Sequence, residues 1–326
     1  MKYAKLFSLL VVSIIGLYGA VGFYFLPLAG FEGDLTRVGM LPESMFGWTK
    51  PQPAVDPILL RSASWQEADV LVVGDSFSAP RIWQTVLVKR GLKVRTESWG
   101  GLPAICEDFD EWLKNIGFKG KYVLLEIVER NTEGTLSKSI NCKKTNYFIR
   151  GEGRVSPPAL TVNRTTRNLS GRLSVGIQVY LNALRYTVWN VKPSFQASKD
   201  VHVEQVANGC SLFSHLRCNQ VLFFNNDRVN DMGDNILSDM ATISHRISLA
   251  EPVWVIIPDK TTTYLHPEKS FWNHAESKLD AVNTLAGFRH ALMEKKPVDF
   301  YFANNTHLST VGYLELGEIV SNRLRR

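Results

Sequence analysis

Cysteine is scarce in this chain, with 4 residues in 326, and no two of them form a Cys-x-x-Cys pair. Zinc-ribbon and thioredoxin-type readings are thereby excluded. None of the 7 histidines stands in a His-Glu-x-x-His or comparable ligand spacing, which leaves no zinc motif. No block of lysine and arginine interleaved with aromatics occurs, and 37 basic residues against 31 acidic ones give a formal charge of only +6. That balance gives no support to nucleic-acid binding. Internal repeats and low-complexity tracts are absent, and collagen-like, coiled-coil and multi-span membrane architectures are excluded by composition.

What is present is enough for a sizeable core: 45% of residues are hydrophobic and 11% aromatic, against 21% charged. A chain of this length makes one large domain or two ordinary ones. Leu6 to Phe25 carries no charge and follows Lys2 and Lys5. About twenty such residues cross a bilayer core as a helix. A cleaved signal peptide has a shorter apolar stretch ending in a small-x-small site; here only Ala20-Val21-Gly22 and Leu28-Ala29-Gly30 offer that context. The run therefore favours an uncleaved anchor over residues 1–30. With the lysines inside, the rest of the chain lies beyond the membrane, which in a bacterium means a single-pass inner-membrane protein with a periplasmic domain.

An even number of cysteines fits an exported chain. Cys210 and Cys218 are close enough to close a small loop, which leaves Cys106 for Cys142. Two other connectivities, or four free buried thiols, are the alternatives.

From about 31 to 64 the chain is rich in Pro and Gly without sustained periodicity and reads as a stalk. The domain predicted over 65–326 is α/β. Asp69–Gly74, Leu92–Trp99 and Tyr122–Val128 read as strands, with helices over Arg81–Arg90 and Glu107–Ile116 between them. Strand and helix alternating at this spacing predict a parallel sheet covered on both faces. The alternation lapses between about 132 and 249, an interval read as an insertion. A helical stripe there, Leu173, Ile177, Tyr180, Leu181 and Leu184, reads as a packing face. Alternation resumes with a strand at Val253–Ile257, a helix from about Glu276 to Lys295, a last strand at Val298–Phe302, and a C-terminal helix with Leu316, Ile319, Val320 and Leu324 on one face.

The first chemically informative segment is Gly74-Asp75-Ser76-Phe77-Ser78, where the first strand meets the first helix. Open α/β sheets bind ligands at the carboxyl ends of their strands, so Ser76 is placed as a nucleophile whose own amide faces a developing oxyanion. The alternative is that Asp75 and Ser76 only cap a helix. A serine hydroxyl needs a base. His307, in Asn304-Asn305-Thr306-His307-Leu308-Ser309 after the last predicted strand, falls at the same sheet edge.

These residues resemble the SGNH/GDSL hydrolase superfamily. GDSFS looks like its first block, with Ser76 as nucleophile; Trp99-Gly100-Gly101 lies where the second-block glycine supplies an oxyanion N–H; Asn131 lies at the third-block asparagine; and His307 matches the last block. The resemblance implies a three-layer SGNH-like domain with a central, mostly parallel sheet, and catalysis without a cofactor or metal. Ile257 to Tyr264 (IPDKTTTY) and Ile127-Val128-Glu129-Arg130 are further similar to the SGNH-like proteins that O-acetylate alginate and related bacterial exopolysaccharides. That similarity implies a polysaccharide acceptor and a membrane-bound O-acyltransferase partner. In the alginate branch an Asp-His motif usually precedes the serine, whereas here His307 follows Ser76.

One departure is chemical. The superfamily usually has Asp three residues before the histidine, where this chain has Asn304. An amide orients an imidazole but does not offset its charge, and in serine proteases that exchange costs about 10⁴ in rate. Three readings stay open: a Ser76–His307 dyad oriented by Asn304 or a backbone carbonyl, a remote acid such as Asp259, or a site that only binds glycan. Esterase action on the same ester is a further alternative to acyl transfer. Asp259-Lys260 and Glu129-Arg130 read chiefly as structural ion pairs; Asp75, Asp259 and Arg130 are carried as accessory candidates. Asn163-Arg164-Thr165, Asn168-Leu169-Ser170 and Asn304-Asn305-Thr306 are glycosylation sequons only in a eukaryotic secretory pathway.

Overall fold

Among the described residues seven strands form, most of them on short apolar or β-branched runs: β1 (Val70–Gly74), β2 (Val94–Ser98), β3 (Tyr122–Val128), β4 (Ser194–Gln196), β5 (Val201–Gln205), β6 (Gln220–Phe224) and β7 (Glu251–Ile257). The structure is a computed structural model that describes residues 2–26, 33–148, 172–189 and 194–325. The first two glycosylation sequons and Leu28-Ala29-Gly30 lie outside these residues. The chain divides into two units, 52–160 with 226–300 and 307–326, and 1–51 with 161–225 and 301–306.

The first unit is α/β. Its sheet has the order β2-β1-β3-β7 with every pair parallel. β1 and β3 are buried along their whole length, as the apolar run of β1 and the run of β3, apolar but for Glu126, require. One face carries Leu71, Val73, Leu125, Ile127, Trp254 and Ile256 into a core with Phe109, Leu136, Met240, Phe271 and Trp272. These come from helices Phe109–Asn115, Thr132–Ile140, Asp234–Ser244 and Phe271–Leu279. Helices Gln84–Lys89, Thr284–His290 and Thr310–Arg323 form a second group, and a Cβ at Gly317 would lie 2.6 Å from Val86 Cγ2. The outer edge of β2 is covered where Ala63 N donates to Val94 O at 2.9 Å and Thr96 N donates to Ser62 Oγ at 3.2 Å.

Two predicted elements differ. No strand forms over Val298–Phe302, because Asp299 adopts a left-handed backbone (φ 57°) that breaks the extended run. The helix expected from Glu276 to Lys295 is broken at Asp280 (φ 54°) and restarts at Thr284, where Asn283 accepts the Ala286 amide as an N-cap.

The second unit has an antiparallel sheet, β4-β5-β6. Its core contains Leu35, Leu41, Phe46, Tyr186, Val201, Val203 and Leu222. Residues 33–51, read from composition as part of a stalk, thus carry short helices with buried side chains (Asp34–Gly39 and Glu43–Phe46). Helix Lys2–Tyr24 is long and apolar enough to cross a membrane, and most of its side chains are exposed. Gly22 is its one buried position.

Both disulfides expected from spacing are present. Cys106–Cys142 closes a loop with a sequence separation of 36 in the α/β unit, and Cys210–Cys218 one of 8 between β5 and β6. Disulfides persist in oxidising compartments.

Candidate active site

β1 is flanked by β2 on one side and β3 on the other, so the chain reverses its direction of sheet growth at β1. Side chains just past the carboxyl end of such a strand point into the crevice at the switch point. Ser76 is two residues past Gly74, the last residue of β1, and is exposed.

The turn is held from beneath. Asp75 N donates to Glu126 Oε2 at 2.9 Å. Asp75 Oδ1 accepts the Phe77 amide and Oδ2 the Val128 amide, both at 2.9 Å. Its carbonyl accepts the amides of Ser78 and Ala79, each at 3.1 Å. Every one of these bonds tightens the chain around one residue. The Ser76 amide, alone among those of residues 75–79, has no acceptor among the described residues. Asp75 therefore acts as a staple from β1 to β3. Gly74 is required on steric grounds, since a Cβ there would lie 2.5 Å from Glu126 Oε2.

His307 Nε2 lies 2.8 Å from Ser76 Oγ. Phe77 packs against the imidazole with ring centroids 4.8 Å apart, and its ring in turn meets Tyr313 at 6.3 Å. Immediately after His307, Ser309 N donates to Phe300 O at 3.0 Å, and Ser309 Oγ caps the final helix by accepting the Gly312 amide at 3.2 Å. A Cβ at Gly312 would run into the Phe300 carbonyl, so the motif glycine here serves close packing.

Of the flanking candidates, Gly100 follows β2, is exposed, and has an amide without an acceptor among the described residues. Gly101 is different. Its amide donates to Ser98 O at 2.8 Å, inside a turn. Asn131 ends the short 3₁₀ segment after β3, is exposed, and makes no cap bond to the following helix. Asn304 belongs to the antiparallel unit, where its Nδ2 donates to Glu43 Oε1 at 2.5 Å and its Oδ1, although buried, has no partner among the described residues.

A buried ionic cluster lies past the ends of β3 and β7. Arg130 Nη1 is 2.5 Å from Asp259 Oδ1 and 3.4 Å from Asp227 Oδ1. Asp259 Oδ2 accepts the Arg228 amide at 3.0 Å, so both oxygens of the suggested remote acid are engaged. The cation on Asp259 is thus Arg130. Burial, and then the Asp227 charge, push the Asp259 carboxyl well above the usual carboxylate range. Beside it, Glu129 Oε1 pairs with Lys269 at 2.5 Å while Oε2 accepts from Thr262 Oγ1 and the Asp259 amide. Burial raises the Glu129 carboxyl, and Lys269 opposes that shift.

Glu126 was not singled out from the sequence. It is fully buried, and it accepts from Ser78 Oγ at 2.6 Å as well as from Asp75 N. Its Oε1 has no partner among the described residues. Burial, and next the charge of Asp75, push its carboxyl well above the usual carboxylate range. The signal was legible: an acidic residue in the middle of Tyr-Val-Leu-Leu-Glu-Ile-Val, on a strand expected to be buried on both faces. Lys269 and Asp227, by contrast, sit in polar stretches with nothing to mark them.

Among the described residues no group of three or more His, Cys, Asp or Glu side chains could hold a metal ion. The site's chemical capacity is that of an exposed hydroxyl on an imidazole nitrogen, with unused amides at Ser76 and Gly100. Compared with family models, curated proteins and solved structures, the chain matches none.

Proposed function

We propose that this chain is a serine acyltransferase of the SGNH-like kind, anchored by its N-terminal helix in a bacterial inner membrane and O-acetylating an exported or cell-surface polysaccharide in the periplasm. The observation that carries the chemistry is the 2.8 Å contact of Ser76 Oγ with His307 Nε2 at the end of the central strand. The acceptor and the membrane-bound O-acyltransferase that would deliver acetyl groups rest on the resemblance of the GDSFS and IPDKTTTY segments. The disulfides and the apolar helix support an exported, membrane-tethered setting.

In this mechanism Ser76 Oγ attacks the acyl carbonyl while His307 Nε2 takes the hydroxyl proton. The negative charge on the carbonyl oxygen falls to the Ser76 and Gly100 amides and the Asn131 side chain. His307 returns the proton to the leaving group, and an acyl-serine remains. A sugar hydroxyl, deprotonated by His307, then attacks that ester, and Ser76 recovers its proton. Water in place of the sugar gives an esterase.

Asn304 favours a second reading. A glycan-binding subunit without turnover needs no carboxylate three residues before His307, and the Asn304 amide is already held by Glu43. Incubating the purified full chain with an aryl acetate, with and without an oligosaccharide acceptor, separates the readings. Acetylated oligosaccharide supports the transferase, acetate release alone the esterase, and no serine-dependent turnover in a folded sample overturns both and leaves the binding role.

A further inference from the structure

Of the stripe Leu173, Ile177, Tyr180, Leu181 and Leu184, expected to pack inward, Ile177 and Tyr180 are half-buried, whereas Leu173, Leu181 and Leu184 are exposed. Helix Leu173–Trp189 buries a different set, Gly176, Val179, Asn182, Ala183 and Tyr186. Asn182 Nδ2 donates to the carbonyls of Gly39 and Met40 at 3.2 Å each, which fixes that face on its own unit. Leu173, Leu181, Leu184 and Val188 remain 40%, 45%, 41% and 67% exposed. At about 100° per residue these four and half-buried Ile177 fall within an arc of about 80°. The helix thus has three faces: a buried one, an exposed apolar stripe, and a polar edge with Gln178 and Arg185.

The stripe begins where this helix meets the N-terminal one. Helix Lys2–Tyr24 meets Leu173–Trp189 by direct backbone approach, because a Cβ at Gly22 would lie 2.9 Å from Leu173 O and a Cβ at Gly176 would run into the Gly22 carbonyl. Phe25 and Tyr180 pack with ring centroids 5.2 Å apart. With about 1.5 Å rise per residue, Gly22 lies only about 5 Å before the end of the apolar run at Phe25. The first turn of the stripe is therefore level with the membrane boundary if the N-terminal helix spans the bilayer. Tyrosines such as Tyr180 gather at that depth. Exposed Arg172 precedes the stripe and exposed Arg185 borders it, the basic flanks that interfacial helices carry.

We infer that helix Leu173–Trp189 is a second membrane-contacting element, whose apolar stripe enters the headgroup and upper acyl region of the leaflet from which the N-terminal helix emerges. It rests on the spanning role of that helix, and it adds a second contact that sets the antiparallel unit's angle to the membrane.

The test uses the full chain in lipid nanodiscs, one copy per disc, with ordinary or brominated acyl chains, and reads the fluorescence of one added tryptophan as the difference from the parent. Leu184→Trp and Val188→Trp probe the stripe, Gln178→Trp the polar edge, and Leu17→Trp the span. The inference expects bromolipid to quench emission at 184 and 188 by about twofold or more, as burial of about 5–10 Å into the interface implies, with little quenching at 178. Quenching at 17 but not at 184 or 188 overturns it while leaving the span intact: red-shifted emission would then mean a stripe in water, and blue-shifted emission a stripe covered by protein. Absence of quenching at 17 removes the span and the inference together.

Discussion

Glu126 Oε2 accepts the amide of Asp75 at 2.9 Å, joining a carboxyl in the middle of the central sheet to the turn that presents Ser76. Asp75 then reaches back to β3 through the Val128 amide. The nucleophile's position is set by these two acidic side chains, neither of which touches its hydroxyl.

Glu126→Ala strips Ser78 Oγ and the Asp75 amide of a buried acceptor. The expected cost is about 1–3 kcal/mol, read as a lower urea midpoint, with Glu126→Gln costing less because it keeps an acceptor oxygen.

Glu126 also makes a pH prediction. Its folded-state pKa is raised, so the folded chain holds a proton that the unfolded chain releases above about pH 4.3. The stabilisation from that proton is whole below the unfolded pKa and is lost as pH rises towards the folded one. E126Q cannot ionise and escapes the loss. Its stability relative to the parent should increase as pH is raised from about 4 to about 8, and a difference independent of pH would contradict the assignment.

Ser76→Ala should lower aryl acetate turnover by about 10³ or more, His307→Ala by a similar factor, and the double variant no further, since the two act as one unit. Ser76 is exposed, so its denaturation midpoint should stay that of the parent.

Arg130→Ala leaves Asp259 and Asp227 facing each other without their shared cation. Removing one partner of a buried ionic cluster costs about 3–5 kcal/mol. Adding Asp259→Asn should recover part of that loss, a coupling that a double-mutant cycle by urea denaturation measures.

The two disulfides should contribute unequally. By loop-closure entropy, removing Cys106–Cys142, with its separation of 36, costs about 4 kcal/mol. Removing Cys210–Cys218, with its separation of 8, costs about 2.5 kcal/mol. Paired Cys→Ser variants compared by thermal or urea unfolding check the order.

Local rules made much of the α/β unit readable in advance. The short, β-branched and largely apolar runs of β1, β3 and β7, alternating with helical stretches, read as buried parallel strands, and their Gly and polar ends marked the sheet edge where Ser76 and His307 lie. The run from Leu6 to Phe25 needed only its length and lack of charge. The spacing of the cysteines favoured the observed pairing through one short loop, but three connectivities and free thiols stayed open until the fold brought Cys106 to Cys142 and Cys210 to Cys218.

Other features depended on partners far away in the chain. Asp299 and Asp280 each adopt a left-handed backbone that the hydrophobic pattern around them does not mark, and each ended an otherwise plausible strand or helix. Residues 33–51 look like a stalk until Leu35 and Phe46 meet Tyr186 and Leu222. Hydrophobic periodicity located one stripe on Leu173–Trp189 but could not say which face meets the core, because Gly176 and Asn182 are core residues there for reasons of backbone approach and hydrogen bonding. The sequence by itself determined the elements, the sheet edge and the residue types available at it. Tertiary structure decided that Ser76 meets His307, that Asp75 and Glu126 hold the turn, and that Asp259 answers to Arg130, since each of these depends on distances between segments that no local pattern encodes.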